Sequence, residues 1–257
     1  MKKFFSVMAI FMMICAVIVI PKDDVYAANN TIVANKNYEI DLGNETKTFT
    51  FVVPASGYFY YTVTPVHYIV DGSEYTSSWH LPNTKMIVNY KLYESTSVHY
   101  GSPFRSGAYA FKKGTKVKIS LTDTNRENSR AYYLLKVVTK TPKNFEKESN
   151  NSKTTATKLA LNTTYTGVNH TDDKDWWVFS APVTGRYRIS CVEINENKGQ
   201  TVKAYMGSRF ISSVYMGSYE GWKNLYTGTI KKGQKIYVLL DDGSKDEFYK
   251  LKVKRLY

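Results

Sequence analysis

Two stretches of this chain alternate without error between apolar and polar residues, and they constrain the fold more than anything else in it. Lys116-Val-Lys-Ile-Ser-Leu-Thr122 puts Val117, Ile119 and Leu121 on one side. Phe248-Tyr-Lys-Leu-Lys-Val-Lys254 does the same with Tyr249, Leu251 and Val253. Period two with lysines on the other face describes a half-buried antiparallel strand. Almost nothing after residue 27 repeats at helical spacing. The 22 tyrosines suit the same reading, because aromatic rings pack well on pleated surfaces. The chain is predicted to be all-β.

The strands recur in two sets. Phe51-Val-Val-Pro-Ala-Ser-Gly57 answers Phe179-Ser-Ala-Pro-Val-Thr-Gly185 at an offset of 128. Lys91-Leu-Tyr93 answers Lys203-Ala-Tyr205 at 112, Lys113-Gly114 answers Lys232-Gly233 at 119, and Tyr133-x-Leu135 answers Tyr249-x-Leu251 at 116. Order is kept while the offset drifts, as in a duplication with loop insertions. The drop from 128 to 112 assigns about sixteen extra residues to the first copy, after Gly57. Pro65 to Lys85, rich in His, Tyr, Ser and Asp, reads as a long surface loop. The copies are predicted at 28–142 and 143–257, each the size of one β-sandwich. Thr141-Pro142-Lys143 marks the boundary, because proline cannot continue a ladder.

Residues 1–27 read as a secretory signal peptide. Lys2 and Lys3 open it, Phe4 to Ile20 is almost wholly apolar, and Ala27 offers a small residue for cleavage. An uncleaved membrane anchor is the competing reading, since the run is nearly long enough to span. Cys15 falls inside the apolar run, and Ile14 before it is too bulky for a lipid-attachment box. Cys191 is then the one cysteine of an exported protein, so no intramolecular disulfide is available. It shares a strand face with Tyr187 and Ile189 and reads as a small buried hydrophobe.

The formal charge is +13, and +12 without Lys2, Lys3, Lys22, Asp23 and Asp24. Such a balance favours polyanionic partners such as wall polymers, acidic glycans or anionic membrane surfaces. Nucleic acid is not expected, because the lysines are scattered and no recognition motif occurs. Against this basic background, oxygen-bearing side chains gather twice. Glu146, Glu148, Asn150 and Asn151 form one group, and Asp172 and Asp175 form the other. Glu146 and Glu148 project to one side of an extended segment. Bringing them against Asp172 and Asp175 without a cation would crowd like charges. Calcium takes 6–8 oxygen ligands of these types. A solvated acidic linker beside an Asp-rich turn is the competing reading of the spacing.

The residues Glu146-x-Glu148-x-Asn150-Asn151-Ser152, Thr155-Ala156, Gly167, Asp172-x-x-Asp175-Trp-Trp, Phe179 and Gly185 resemble the bacterial pre-peptidase C-terminal domain. The resemblance covers 144–257 and is nearest to the collagen-binding domain of clostridial collagenases. It implies a jelly-roll-like β-sandwich, secretion, and calcium between the linker and a nearby loop. Glu146, Glu148, Asn150, Asn151, Asp172 and Asp175 match the family's ligand pattern, and Asp173 is an unmatched neighbour. In the first copy, Asn44 and Lys47 fall where Asp172 and Asp175 stand, so that copy is expected to keep the fold without the metal site.

No catalytic set is evident. Neither a His-Glu-x-x-His helix nor a Gly-x-Ser-x-Gly elbow occurs. His67, His80, His99 and His170 lack metal-ligand spacing, and Cys191 lacks an identifiable base. The expected role is therefore non-enzymatic: contact with an extracellular polymer, with a collagen-like fibre as the candidate by resemblance. Tyr205, Tyr215, Tyr219, Trp222, Tyr226 and Tyr237 supply the aromatic surface, with Lys174 beside the acidic loop. Tyr205, Trp222, Tyr237 and Lys174 are the leading candidates. The family places paired aromatics soon after the glycine at Gly233, where this chain has Gln234-Lys235-Ile236-Tyr237. Charge-driven binding to anionic wall polymer, and a helper role for an exported protease, are the two alternatives.

Overall fold

A computed structural model describes residues 30–43, 45–76, 82–98, 103–123, 129–194, 199–218, 220–241, 243 and 247–257. The expected leader with Cys15, and Asn44, His80, His99 and Tyr219, lie outside the described residues. Among the described residues every element is a strand, and no helix is long and apolar enough to cross a membrane.

The strands of residues 31–140 are β1 (Thr31–Ile32), β2 (Asn37–Leu42), β3 (Thr46–Val52), β4 (Tyr58–Val70), β5 (Ser73–Tyr75), β6 (Asn83–Val88), β7 (Lys91–Ser97), β8 (Phe104–Arg105), β9 (Tyr109–Ala110), β10 (Lys116–Thr122) and β11 (Ser129–Lys140). One sheet runs β1-β3-β10-β6-β7 and faces another built on β2-β11-β4-β5, with β8 and β9 also on β4. Residues 157–255 supply β12 (Thr157–Lys158), β13 (Thr164–Asn169), β14 (Asp175–Ser180), β15 (Gly185–Glu193), β16 (Gln200–Met206), β17 (Arg209–Met216), β18 (Lys223–Ile230), β19 (Lys235–Leu240) and β20 (Glu247–Arg255). They form the sheets β12-β14-β19-β16-β17 and β13-β20-β15-β18. The molecule is all-β, two β-sandwiches in tandem.

Alternation decides what each sandwich buries. Val117, Ile119 and Leu121 of β10 have no exposed surface, nor do Tyr249, Leu251 and Val253 of β20 or Tyr187, Ile189 and Cys191 of β15. Burial pushes the Cys191 thiol up to about 12, so it stays protonated and inert at neutral pH. The two long sheets share strand order and register. Phe51 of β3 stands opposite Val117 of β10, as Phe179 of β14 stands opposite Ile236 of β19. In each, a two-residue strand pairs in parallel with the edge, β1 on β3 and β12 on β14.

The region expected as a loop from Pro65 to Lys85 differs. β4 continues through Pro65 to Val70 and turns at Asp71-Gly72 into β5. Both turn residues have positive φ, 48° and 79°, the geometry of a tight hairpin turn. Proline is tolerated because the ladder is already broken there: Tyr132 pairs with His67 while Tyr133 pairs with Pro65, which leaves Val66 unpaired. His67 stacks on Tyr132 at 4.3 Å between ring centroids.

The sandwiches touch through a small apolar seam. Ala108, Ala110 and Val168 are buried there among Tyr58, Phe145 and Phe248. Tyr58 meets the Phe248 ring edge-on at 4.8 Å. Nearby, the His170 ring sits 5.4–5.5 Å from Tyr93, Tyr109 and Phe111 of the first sandwich.

Candidate metal centre and aromatic face

The segment before β12 is held as an extra strand. Glu146 N–H donates to the Thr166 carbonyl at 3.0 Å, and Thr166 N–H donates to that of Asn144 at 3.0 Å. This alignment turns Glu146 inward over β13, where Oε1 accepts from Val168 N–H at 2.8 Å. Further on, the Asn150 carbonyl accepts from Trp176 N–H at 3.0 Å, which lays the linker along the start of β14. Asp175, the first residue of β14, faces inward with no exposed surface.

Glu146, Glu148 and Asp175 thus converge, each offering a carboxylate oxygen within 4.8 Å of the others. Tyr249 stands beneath them. Its hydroxyl lies 2.8 Å from both Glu146 Oε2 and Asp175 Oδ2, and accepts from Trp177 Nε1 at 2.9 Å. One phenolic proton cannot serve two carboxylates, so a further proton or a cation is needed between them.

Electrostatics agrees. Burial, then Asp175 and Glu148, raise the Glu146 carboxyl well above the usual range. Burial, then Asp173 and Asp175, push Glu148 up to about 9. Asp175 is raised by burial and then by Asp173. Among the described residues, several buried atoms here have no hydrogen-bond partner: Glu148 Oε1, Asp175 Oδ1, Asp173 Oδ2, and both side-chain polar atoms of Asn150. Buried polar atoms are normally satisfied, so this group fits a missing positive centre. An all-oxygen donor set of carboxylates with an amide suits a hard divalent cation. Glu146, Glu148 and Asp175 could hold one, with Asn150 adding its amide oxygen.

Two expected ligands sit elsewhere. The Asp172 carboxylate points outward and pairs with Lys91 Nζ of the first sandwich at 2.6 Å. That lysine holds Asp172 below the usual carboxylate range. The cause is local: Asp173 N–H bonds the His170 carbonyl, closing a turn in which Asp172 has φ +66°. The left-handed residue rotates its side chain away and Asp173 takes the inward place. Asp173 is 4% exposed, receives Asn151 Nδ2 and Lys174 N–H on Oδ1 at 3.1 and 3.0 Å, and has His170 Nε2 3.4 Å from Oδ2. Asn151 therefore contacts the cluster only through Asp173. Sequence reasoning left Asp173 as an unmatched neighbour, able to substitute or to face water, and missed Tyr249. A turn signal at Asp172 could have exposed the first, and the inward parity of β20 the second.

The polymer-binding candidates also divide. Tyr205 of β16 stands directly opposite Tyr237 of β19, and both face outward beside Trp176 of β14. Phe210, half exposed, extends the row from Tyr205. Lys153 Nζ hangs over all three central rings, 5.1 Å from Trp176, 4.8 Å from Tyr205 and 5.6 Å from Tyr237. Trp222 does not belong to this row; it lies exposed at the entrance to β18 in the opposite sheet. Lys174 is exposed beside the acidic turn. Trp176 was missed although strict alternation in Asp175-Trp176-Trp177 requires it to face outward between two inward residues.

No family model matches the chain, and no curated protein does either. Among solved structures it is similar to the pre-peptidase C-terminal domain of a collagenase from Bacillus anthracis, at 19% identity and a TM-score of 0.31 over 38% of this chain and 94% of that one. It is also similar to the CUB1-EGF-CUB2 domains of human MASP-1/3, at 9% identity and a TM-score of 0.23 over 85% of this chain and 100% of that one. A tandem CBM22 structure from Paenibacillus barcinonensis Xyn10C gives 10% identity and a TM-score of 0.25 over 80% and 82%. Likenesses this low carry no functional argument.

Proposed function

We propose that this is a secreted, non-catalytic protein that binds calcium through the linker of its second sandwich, residues 143–257, and uses that sandwich to hold an extracellular polymer. The first sandwich, 28–142, is a second copy of the same fold. One observation carries the reading: the acidic cluster and the aromatic row are built on the same two segments. Asp175 faces in and Trp176 faces out on β14, while Asn150 lies in the cluster and Lys153 lies over the rings. A cation that fixes the linker against β14 therefore also fixes Lys153 and completes the aromatic face. Flat rings with a cation among them suit a long, repetitive polymer chain, with little entropy lost on binding. Calcium is preferred because the donors are all oxygen and carboxylate-rich.

Co-sedimentation with insoluble collagen fibrils, in calcium and in EDTA, tests this. Pelleting is expected in calcium, reduced in EDTA, and lost in a Trp176→Ala Tyr237→Ala variant. Equal pelleting of that variant would contradict the aromatic face. Pelleting that disappears with moderate salt would instead favour the charge-driven wall-polymer reading, which needs only the excess of lysine.

A further inference from the structure

The sheet β13-β20-β15-β18 lies on the other side of the second sandwich from the aromatic row, and its outward face gathers cations. Strand β20 turns Tyr249, Leu251 and Val253 inward, so Lys250, Lys252 and Lys254 point outward at every second residue. On β15 the inward Tyr187, Ile189 and Cys191 leave Arg188 and Ser190 outward. Register sets Arg188 directly opposite Lys254 and Ser190 directly opposite Lys252. The flanking strands add hydroxyls: Thr164 and Thr166 of β13 stand opposite Lys252 and Lys250, and Thr227 of β18 stands opposite Arg188. Among the described residues, no ion pair uses Lys250, Lys252, Lys254 or Arg188.

Like charges directly opposite one another on a sheet are destabilising, because their Cβ atoms are only about 4.5–5.5 Å apart. The fold does not ask for them. At the offset of 116 that aligns Tyr133 with Tyr249, Leu134 and Val138 of β11 take the places of Lys250 and Lys254, and only Lys136 matches, at Lys252. The β2 residues opposite Leu134 and Tyr132 are Glu39 and Asp41, and Asp41 pairs with Arg130 at 3.6 Å. The first sandwich therefore balances charge on this face, while the second accumulates one sign.

We infer that Arg188, Lys250, Lys252 and Lys254 form a docking face for a linear phosphodiester polymer with an acyclic backbone, laid along β20. The lysines recur about every 6.5–7 Å along the strand, which complements a chain carrying one negative charge per short repeat. Lysine meets phosphate as a point charge, arginine adds its planar fork, and the interleaved hydroxyls supply neutral donors. The cross-strand neighbours of the lysines and Arg188, apart from each other, are Thr164, Thr166, Ser190, Val192 and Thr227, none of them aromatic. Sugar rings and bases bind best on flat aromatic platforms, so this face suits neither a polysaccharide nor a single-stranded nucleic acid. It stands apart from the acidic cluster and from Trp176 and Tyr237, and does not rest on the polymer contact proposed above.

Fluorescence anisotropy of a labelled glycerol phosphate oligomer, titrated with the full chain, tests it. An Arg188→Gln Lys252→Gln Lys254→Gln variant should bind about tenfold more weakly or worse. A Lys85→Gln Lys116→Gln Lys118→Gln variant, which removes the same charge from the first sandwich, should stay within about twofold of the parent. Equal losses in the two would overturn the face and leave net charge alone as the cause, and a parent that does not bind would overturn it outright. Tighter binding of a uronate polysaccharide or of single-stranded DNA at matched charge would overturn the choice of occupant. The Trp176→Ala Tyr237→Ala variant should bind the oligomer as the parent does, which keeps failure of this face distinct from failure of the aromatic one. Relief of repulsion between Arg188 and Lys254 should leave the first variant melting no lower than the parent. If it melts lower, Lys250→Leu Lys254→Val, which copies Leu134 and Val138 of the first sandwich, decides by the same loss of affinity.

Discussion

At the residue scale, the chemistry lies in carboxyls that burial has pushed away from their ordinary behaviour. Glu148 is raised from 4.5 to about 9, and Glu193 from 4.5 to about 8. An acid raised in the folded state holds its proton better folded than unfolded. Its contribution is therefore complete below about pH 4.5 and is lost as pH climbs through the folded value. Without calcium, the melting temperature should fall from pH 5 to pH 9, and calcium should restore more stability the higher the pH. A flat profile in EDTA would mean these carboxyls ionise without cost. The residue scale is also where the sequence was least legible. The spacing Asp172-x-x-Asp175 identifies the loop, but only the left-handed φ at Asp172 decides that Asp173 turns inward. The residue types mark a turn there without fixing which aspartate it turns inward.

At the element scale, β13 must let the linker approach, and it does so with a glycine. A Cβ on Gly167 would run into Tyr249 Oη and stand 2.6 Å from Glu146 Oε2. Gly167→Ala should cost about 1–3 kcal/mol in denaturant unfolding and abolish the calcium response, since Glu146 and Tyr249 cannot both keep their places. A variant of parental stability would show that the linker has room to move. Elements were the most legible level. β10 and β20 follow alternation that is visible residue by residue, and β14 follows it through Asp175, Trp176 and Trp177. The long β4 was not legible, because His67, Asp71 and Ser73 look like loop and Pro65 looks like a break. Only cross-strand pairing with β11, absorbed by a bulge at that proline, shows otherwise.

At the scale of the whole molecule, the linker that carries the acidic cluster also builds the seam between the sandwiches. Phe145 packs on Tyr58, one residue before Glu146, and Asp172 reaches Lys91 across the boundary. Each aromatic pair is worth about 0.5–1.5 kcal/mol beyond its buried area. Tyr58→Ala should uncouple the halves, splitting the calorimetric melt into two transitions; one transition at the parental temperature would mean the seam carries no energy. The repeat in the sequence predicts two similar halves, but it does not show that the acidic turn would reach Lys91 of the first.

The central claim is that Glu146, Glu148 and Asp175 bind a cation that the fold requires for these buried charges. Thermal unfolding in calcium and in EDTA tests it most directly, comparing the parent with Asp175→Asn and Asp172→Asn. The parent should gain stability in calcium, about 2.7 kcal/mol at a hundredfold excess over Kd. Asp172→Asn should keep most of that gain and Asp175→Asn should lose it. A parent indifferent to calcium, or an Asp175→Asn protein that responds as the parent does, would contradict the account.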